Sequence, residues 1–498
     1  RQNSSSVSHF YFDSLLTMTS CVTKLHTSIK EFSERGGASL VEVNAKLLIF
    51  GGADRQQTHF QDLAVYNSAA DSLFVTVRAT GDVPMPRSGH SVVAYGKYMF
   101  LFGGIDFAEE AVFNDLYILN TDTFEWGYVG EAGAEVIARN SHSMGIISDY
   151  STPPRSYLVV YGGASPEHGP LGDTLYAELP ELAAIDPAAV FVEWKVLPTT
   201  GPALSAHSTP ETVFARTTAT AATVTLPQPG AREMHGTACF DGKMYISGGR
   251  DEAQNNLSDV WVLSYTPLPR HREESKTQSE SKVGDSEADE SHTGTIHWQR
   301  CVELELPAPR CAHGSAIVVA SDPHIAPTHA YLEAHAHRAE HKAEHHSEHH
   351  SEHHSEPVTD SSAIAQLERS VQLVQFGGFS GIDVKDDIIA APLLRKFSTP
   401  TAAKTVWKTL TLSNPITGRF GLSLCPISIK MLANLAANRR YAVFVKPAAA
   451  ESIEHKKALL HTKGVSGRKS VASRHAGMVL FGGVCAQKDY SDAYMITL

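Results

Sequence analysis

The chain has 498 residues, 42% hydrophobic and 19% charged, a net charge of −12, and no apolar run near the ~18 residues of a membrane span. This is the composition of a globular protein with a large core, and the acidic balance argues against general nucleic-acid binding, which rests on clustered Lys and Arg. Six scattered cysteines (Cys21, Cys239, Cys301, Cys311, Cys425, Cys485) with no CxxC pair read as reduced core residues of an intracellular protein, cytoplasmic or nuclear, rather than a disulfide framework or zinc site.

In chain order, residues 1–18 form an N-terminal extension and the first strand is expected around Cys21 to Leu25. The chain starts at Arg1 rather than Met, with no charged start and apolar centre of a signal peptide, consistent with loss of an upstream segment. An apolar run ending in two glycines then appears six times, at Gly51-Gly52, Gly103-Gly104, Gly162-Gly163, Gly248-Gly249, Gly377-Gly378 and Gly482-Gly483. After each pair comes a polar loop and a short strand announced by an acid, at Asp62, Asp115, Asp173, Asp259, Asp386 and Asp492. A third strand carries an aromatic at Phe74, Trp126, Trp194, Trp298 or Trp407. Then an Arg, four times followed by a His, opens the strand leading to the next glycine pair, as in "PRSGHSVVAY" and "AREMHGTACF".

Each unit therefore holds four short strands rich in Val, Ile, Tyr and Phe, the signature of an antiparallel sheet. A four-stranded sheet with two apolar faces must stack on its neighbours, and radial stacking gives a β-propeller. The last unit stops at Leu498 without its outer strand. Aligning "SCVTKLHTSIKEFSERGGASLVEV" with "LFVTVRATGDVPMPRSGHSVVAY" supplies that strand from the N-terminus. The expected fold is all-β: residues 19–498 as a six-bladed ring closed by the N-terminal strand, with "RRYAVFVKP" from Arg439 leaving room for a seventh, decayed blade.

The glycine pair, the aromatic some distance later and the Arg before the next strand resemble the kelch repeat, over nearly the whole chain apart from its insertions. The resemblance places the chain with kelch β-propellers, whose ring is shared with the central domain of galactose oxidase-like proteins. It departs from the pattern at Phe74, where Trp is usual, and at Arg419-Phe420-Gly421, which lacks the His.

Glycine pairs suit strand ends where φ is positive or another chain comes close. The repeated Arg35, Arg87, Arg139, Arg232, Arg310 and Arg419 are expected to donate to carbonyls or carboxylates of the adjacent blade, the repeated Asp being one acceptor; the alternative is a ring of cations receiving an acidic peptide. His90, His142, His235 and His313 recur once per blade, too far apart to converge on one metal ion, and read as structural. Trp126, Trp194, Trp298 and Trp407 read as packing between blades.

Four insertions carry the individuality. Residues 199–229 are expected on the glycine-pair face, and 266–293, 321–370 and 428–474 on the opposite face, all read as disordered. Residues 321–370 contain an "HHSE" repeat of period four that could bind metal incidentally, and residues 428–474 are basic. Their Lys456, Lys457, Arg468 and Lys469 are candidate partner-binding residues, for an acidic tract or acidic protein rather than nucleic acid.

No HExxH, GxSxG, GxxxxGK or GxGxxG-helix pattern is present, and no complete copper site of the galactose oxidase kind. No catalytic residue, metal or cofactor is therefore expected. The function expected is a non-enzymatic scaffold or adaptor binding one or more proteins through face loops; the alternative is the propeller of a larger tRNA-modifying or carboxyl methyltransferase.

Overall fold

The computed structural model describes residues 19–25, 33–67, 74–133, 135–149, 154–202, 223–267, 294–319, 371–393, 407–428, 430–431, 434, 477–485 and 487–497. The 1–18 extension, the interiors of the four insertions, the "HHSE" tract, "RRYAVFVKP" and Lys456, Lys457, Arg468 and Lys469 lie outside them.

Strand β1 (Thr19–Leu25) belongs to the last blade. Blade one is β2 (Ser39–Val43), β3 (Lys46–Phe50), β4 (Leu63–Asn67) and β5 (Phe74–Val77), followed by a two-residue strand β6 (Thr80–Gly81). Blade two is β7 (Ser91–Tyr95), β8 (Tyr98–Asp106), β9 (Ala111–Asn120) and β10 (Glu125–Glu131). Blade three is β11 (Ser143–Ser148), β12 (Ser156–Tyr161), β15 (Thr174–Leu179) and β16 (Lys195–Val196), with a small hairpin of β13 (Ala164–Ser165) and β14 (Gly169–Pro170) in its loop. A second hairpin, β17 (Thr200–Pro202) and β18 (Thr223–Thr225), stands at the base of the first insertion.

Blade four is β19 (Gly236–Phe240), β20 (Lys243–Ser247), β21 (Val260–Pro267) and β22 (Gly294–Arg300). Blade five is β23 (Gly314–Val319), β24 (Val371–Phe376), β25 (Ile388–Pro392) and β26 (Lys408–Thr409), with β27 (Thr411–Leu412) after it. Blade six is β28 (Ser423–Ile427), β29 (Gly477–Phe481) and β30 (Ala493–Thr497), completed by β1, which runs antiparallel to β30 from Cys21 opposite Thr497 to Leu25 opposite Ala493. The ring has six blades, and its N-terminal strand closes the last.

The core lies between blades rather than within them. Successive side chains of a strand point to opposite faces, so Leu47 and Ile49 of β3 pack with Val479, Phe481 and Met495 of blade six, while Leu48 and Phe50 pack with Met99, Leu101 and Trp126 of blade two. Six such clusters fill the six interfaces. At about 25 cal/mol per Å² of buried apolar area, they are the main force holding one blade to the next.

Three insertions leave the ring between Pro267 and Gly294, Val319 and Val371, and Ile427 and Gly477, each pair directly opposed across two antiparallel strands at the blade end remote from the glycine pairs. The described base of the first insertion, β17 and β18, instead stands at the outer rim beside β22.

Candidate functional site

Each glycine pair sits where the next blade arrives. The first glycine has φ between +59 and +68°. A Cβ on Gly51 would lie 2.7 Å from the carbonyl oxygen of Arg87, and one on Gly103 2.8 Å from that of Arg139. The second glycine donates its amide to the same Arg carbonyl: Gly52 to Arg87, Gly104 to Arg139, Gly163 to Arg232, Gly249 to Arg310, Gly378 to Arg419 and Gly483 to Arg35, all at 2.9–3.1 Å. A side chain at either position would push the blades apart.

The same arginines are internal. Their side chains expose 0–2%, and each guanidinium spans a carboxylate and a glycine carbonyl. Arg87 Nη1 and Nη2 reach Asp115 Oδ1 and Oδ2 at 2.6 and 3.0 Å, and Nη1 also donates to Gly103 O at 2.9 Å. Arg35 with Asp62, Arg139 with Asp173, Arg232 with Asp259 and Arg310 with Asp387 repeat the fork, while Arg419 meets Asp492 through Oδ1, whose Oδ2 is taken by Tyr494.

Two details differ from the sequence expectation. The carboxylate belongs to the same blade as the Arg, not the adjacent one, because the strand with the Asp lies beside the strand that ends in the glycine pair. In blade five the partner is Asp387, since Asp386 points to solvent. Arg35, Arg87 and Arg419 also lie 3.8–3.9 Å from the ring centres of Phe60, Phe113 and Tyr490. These six cations are enclosed by their own ring, and none of them is presented at the mouth to an acidic peptide.

The aromatics between blades follow one scheme. The residue before the glycine pair is held between the His and the Trp of the next blade: Phe50 by His90 (5.6 Å) and Trp126 (5.2 Å), Phe102 by His142 (5.4 Å) and Trp194 (5.2 Å), Tyr161 by His235 (5.4 Å) and Trp298 (5.0 Å). Trp298 Nε1 donates back to Thr174 of blade three, and Trp407 Nε1 to Glu305 O. Burial, helped by the neighbouring Arg, pushes His90, His142 and His313 down to about 3 and His235 well below its ordinary value. All four are neutral near pH 7. Among the described residues no group of three or more His, Cys, Asp or Glu could hold a metal ion.

The residue before each His, and its counterpart in the two blades without one, builds a feature that the sequence reading missed. Gly89 donates its amide to Gly37 O, Ser141 to Gly89 O, Met234 to Ser141 O, Ala312 to Met234 O, Gly421 to Ala312 O and Gly37 to Gly421 O, at 2.7–3.0 Å. The six bonds form a closed circle around the channel, one per blade, and all six residues have φ between +51 and +65°. Four different residue types fill these positions, so only the backbone is shared and no side-chain pattern marks them. Beneath the circle lies a channel of about 750 Å³ lined by the four histidines and by hydroxyls such as Ser39 and Ser423.

Around the mouth stand the loops that follow the glycine pairs. Non-repeated contacts tie them together: Arg55 to Asp489 at 2.5 Å across the closure, His59 to Asp106 at 3.0 Å, and Asn256 to Phe379 O at 2.9 Å. The same loops present Phe107 at 55% and Ile382 at 87% exposure. The loops after the glycine pairs also carry the exposed carboxylates Glu109, Glu110, Glu167, Glu252 and Asp383.

Residues 1–218 match the family model for the KLHDC2/KLHL20/DRC7 Kelch-repeats domain, and residues 231–266 match the Kelch motif. Kelch domain-containing protein 3 of Homo sapiens is 25% identical over 48% of this chain and 57% of its own length. Tip elongation aberrant protein 1 of Schizosaccharomyces pombe is 27% identical over 44% of this chain and 16% of its own. Acyl-CoA-binding domain-containing protein 5 of Arabidopsis thaliana is 30% identical over 26% of this chain and 19% of its own. The chain thus spans little more than half of the first of these relatives and far less of the others. No helix among the described residues is long and apolar enough to cross a membrane.

Proposed function

The chain belongs to the kelch-repeat family, and from that premise we propose that it is a non-enzymatic scaffold whose ring binds a protein partner through the loops around the glycine-pair mouth. One observation carries the reading. The chemically active side chains that recur in every blade, Arg and Asp, are consumed in holding the ring, whereas the side chains presented at the mouth occur once each. Loops on a rigid frame are where binding residues concentrate. Relatives named for tip elongation and for an acyl-CoA-binding domain each match only part of this chain and a small part of their own length, which favours a shared binding module over a shared reaction.

Phe107 and Ile382 supply apolar contact area, and the exposed carboxylates of the mouth loops, where Arg55 and Lys488 are each paired with an acid, favour a partner segment that is basic rather than acidic. The test is affinity capture of co-purifying proteins with the wild-type chain and with Phe107→Asp/Ile382→Asp. Both side chains are exposed, so the double variant keeps the ring. Loss of a stoichiometric partner supports the reading; a partner retained in full by the variant removes the mouth as its site.

A further inference from the structure

Blades two and six carry a fifth strand that blade four lacks among the described residues. In blade two, β6 runs parallel to the outer strand β10, with Thr80 opposite Glu125 and Gly81 opposite Trp126. Thr80 N donates to Phe124 O at 3.0 Å, Asp82 N to Trp126 O at 2.9 Å, and the Asp82 carboxylate accepts the amide of Tyr128 at 3.3 Å. Gly81 is required there, because any Cβ would strike the Trp126 carbonyl. In blade six, β27 runs parallel to β1 in the same way.

Blade four presents the equivalent edge. Trp298 lies opposite Leu263 as Trp126 lies opposite Leu119, so Ile296, Trp298 and Arg300 stand where Phe124, Trp126 and Tyr128 stand in blade two. Cys301 N donates to Val260 O, which fixes the alternation: the main-chain groups of Arg300, Trp298 and Ile296 face away from β21. None of them has a hydrogen-bond partner among the described residues.

The segment that should cover this edge is turned aside. Thr76 lies opposite Ala64 in blade one and Val196 opposite Leu175 in blade three, so Thr200-Gly201 correspond to Thr80-Gly81. At the next position blade three has Pro202, with no amide for the Trp298 carbonyl and no carboxylate for the Arg300 amide. Thr200-Gly201-Pro202 instead pair with β18. Between that hairpin and β22 a groove of about 440 Å³ is left, lined by Leu197, Leu226, Pro227, Ile296 and Trp298.

We propose that this groove takes an extended segment of a partner protein, added parallel to β22 as a fifth strand and carrying a glycine followed by an acidic residue. The glycine lies against the Trp298 carbonyl, as Gly81 lies against Trp126. The acid takes the Arg300 amide, as Asp82 takes that of Tyr128, and also faces the Arg300 guanidinium, whose side chain is 49% exposed with Glu305 no nearer than 4.0 Å. Main-chain bonds give affinity, and the Gly-acid pair gives register. This surface is at the rim, separate from the mouth, and does not depend on the reading above.

The chain's own fifth strand is the probe: a labelled peptide of sequence TVRATGDVPM, residues 76–85, titrated into the full chain by fluorescence anisotropy. The expected result is saturable binding with amide-exchange protection at residues 296–300. Replacing the peptide's glycine by Val or its Asp by Lys, or introducing Arg300→Glu or Arg300→Pro in the chain, each weakens binding about tenfold, the effect of losing ~1.4 kcal/mol. Arg300→Pro removes an amide that makes no ladder bond, and Arg300→Glu leaves the backbone unchanged. No binding at about 1 mM peptide, or equal binding by all variants, overturns the proposal. Self-association of the chain that Arg300→Pro abolishes, with no peptide binding, overturns the choice of occupant in favour of a second copy.

Discussion

The amide of Gly483 donates to the carbonyl oxygen of Arg35 at 3.1 Å, joining the two ends of the chain by the same bond that joins Gly52 to Arg87 and every other neighbouring pair of blades. With β1 laid on β30, no seam distinguishes the closure from the other five interfaces at the channel. Removal of residues 1–25 exposes the whole edge of β30, a template for pairing with other chains. The truncated protein should unfold at lower temperature and form concentration-dependent aggregates, measured by scanning calorimetry and light scattering. A truncated chain as stable and monodisperse as the full one would show that β1 does not hold the ring.

Arg87 and Asp115 are both nearly buried, so breaking the pair costs more than exchanging it. Arg87→Ala strands the Asp115 carboxylate and should cost about 3–5 kcal/mol in chemical denaturation. Arg87→Met with Asp115→Leu should recover much of that loss. Arg87→Lys, which cannot fork, should fall between.

Gly103→Ala meets both a φ of +62° and the Arg139 carbonyl at 2.8 Å from the new Cβ, and should destabilise by about 2–3 kcal/mol. Gly133 also has positive φ (+89°) but nothing within 4 Å of its Cβ position, so Gly133→Ala isolates the backbone strain alone, about 1 kcal/mol. Equal losses for the two variants would mean that the approach of the next blade adds nothing.

The four channel histidines set a pH dependence. Burial holds His90, His142 and His313 at about 3 in the folded chain and His235 well below its ordinary 6.5, so below pH 6.5 the unfolded chain binds more protons than the folded one. Their contribution is complete above pH 6.5 and is lost as pH falls toward 3. Near pH 5 four extra protons taken up on unfolding give a slope of about 5 kcal/mol per pH unit. Urea denaturation at pH 7, 6 and 5 should show this fall, and His90→Gln should reduce the slope by about a quarter.

Much of this architecture was legible because it is repeated. Six copies of a glycine pair, an Asp and an Arg, with an aromatic in five of them, define the blade, and the match around Cys21 revealed the closure. Position in space was harder to read. Arg87 and Asp115 were visible as a recurrent pair, but their lying in one blade follows from strand order within the sheet. The amide circle through Gly37, Gly89, Ser141, Met234, Ala312 and Gly421 has no side-chain signature at all, since the bond needs only a backbone that can take positive φ. The bare edge of β22 turns on one residue, Pro202 in place of an Asp, whose meaning appears only when blades two and four are superposed in register. The mouth residues Phe107 and Ile382 occur once each, so nothing internal to the sequence could single them out.

The most direct test of the central claim, a ring whose repeated residues serve the ring and whose unique mouth loops serve binding, is amide hydrogen exchange of the chain with and without its captured partner. New protection is expected in the loops around Phe107 and Ile382, with the strands β3, β8 and β24 unchanged. Protection confined to the opposite face, beside the strand ends at Pro267, Val319 and Ile427, would contradict it.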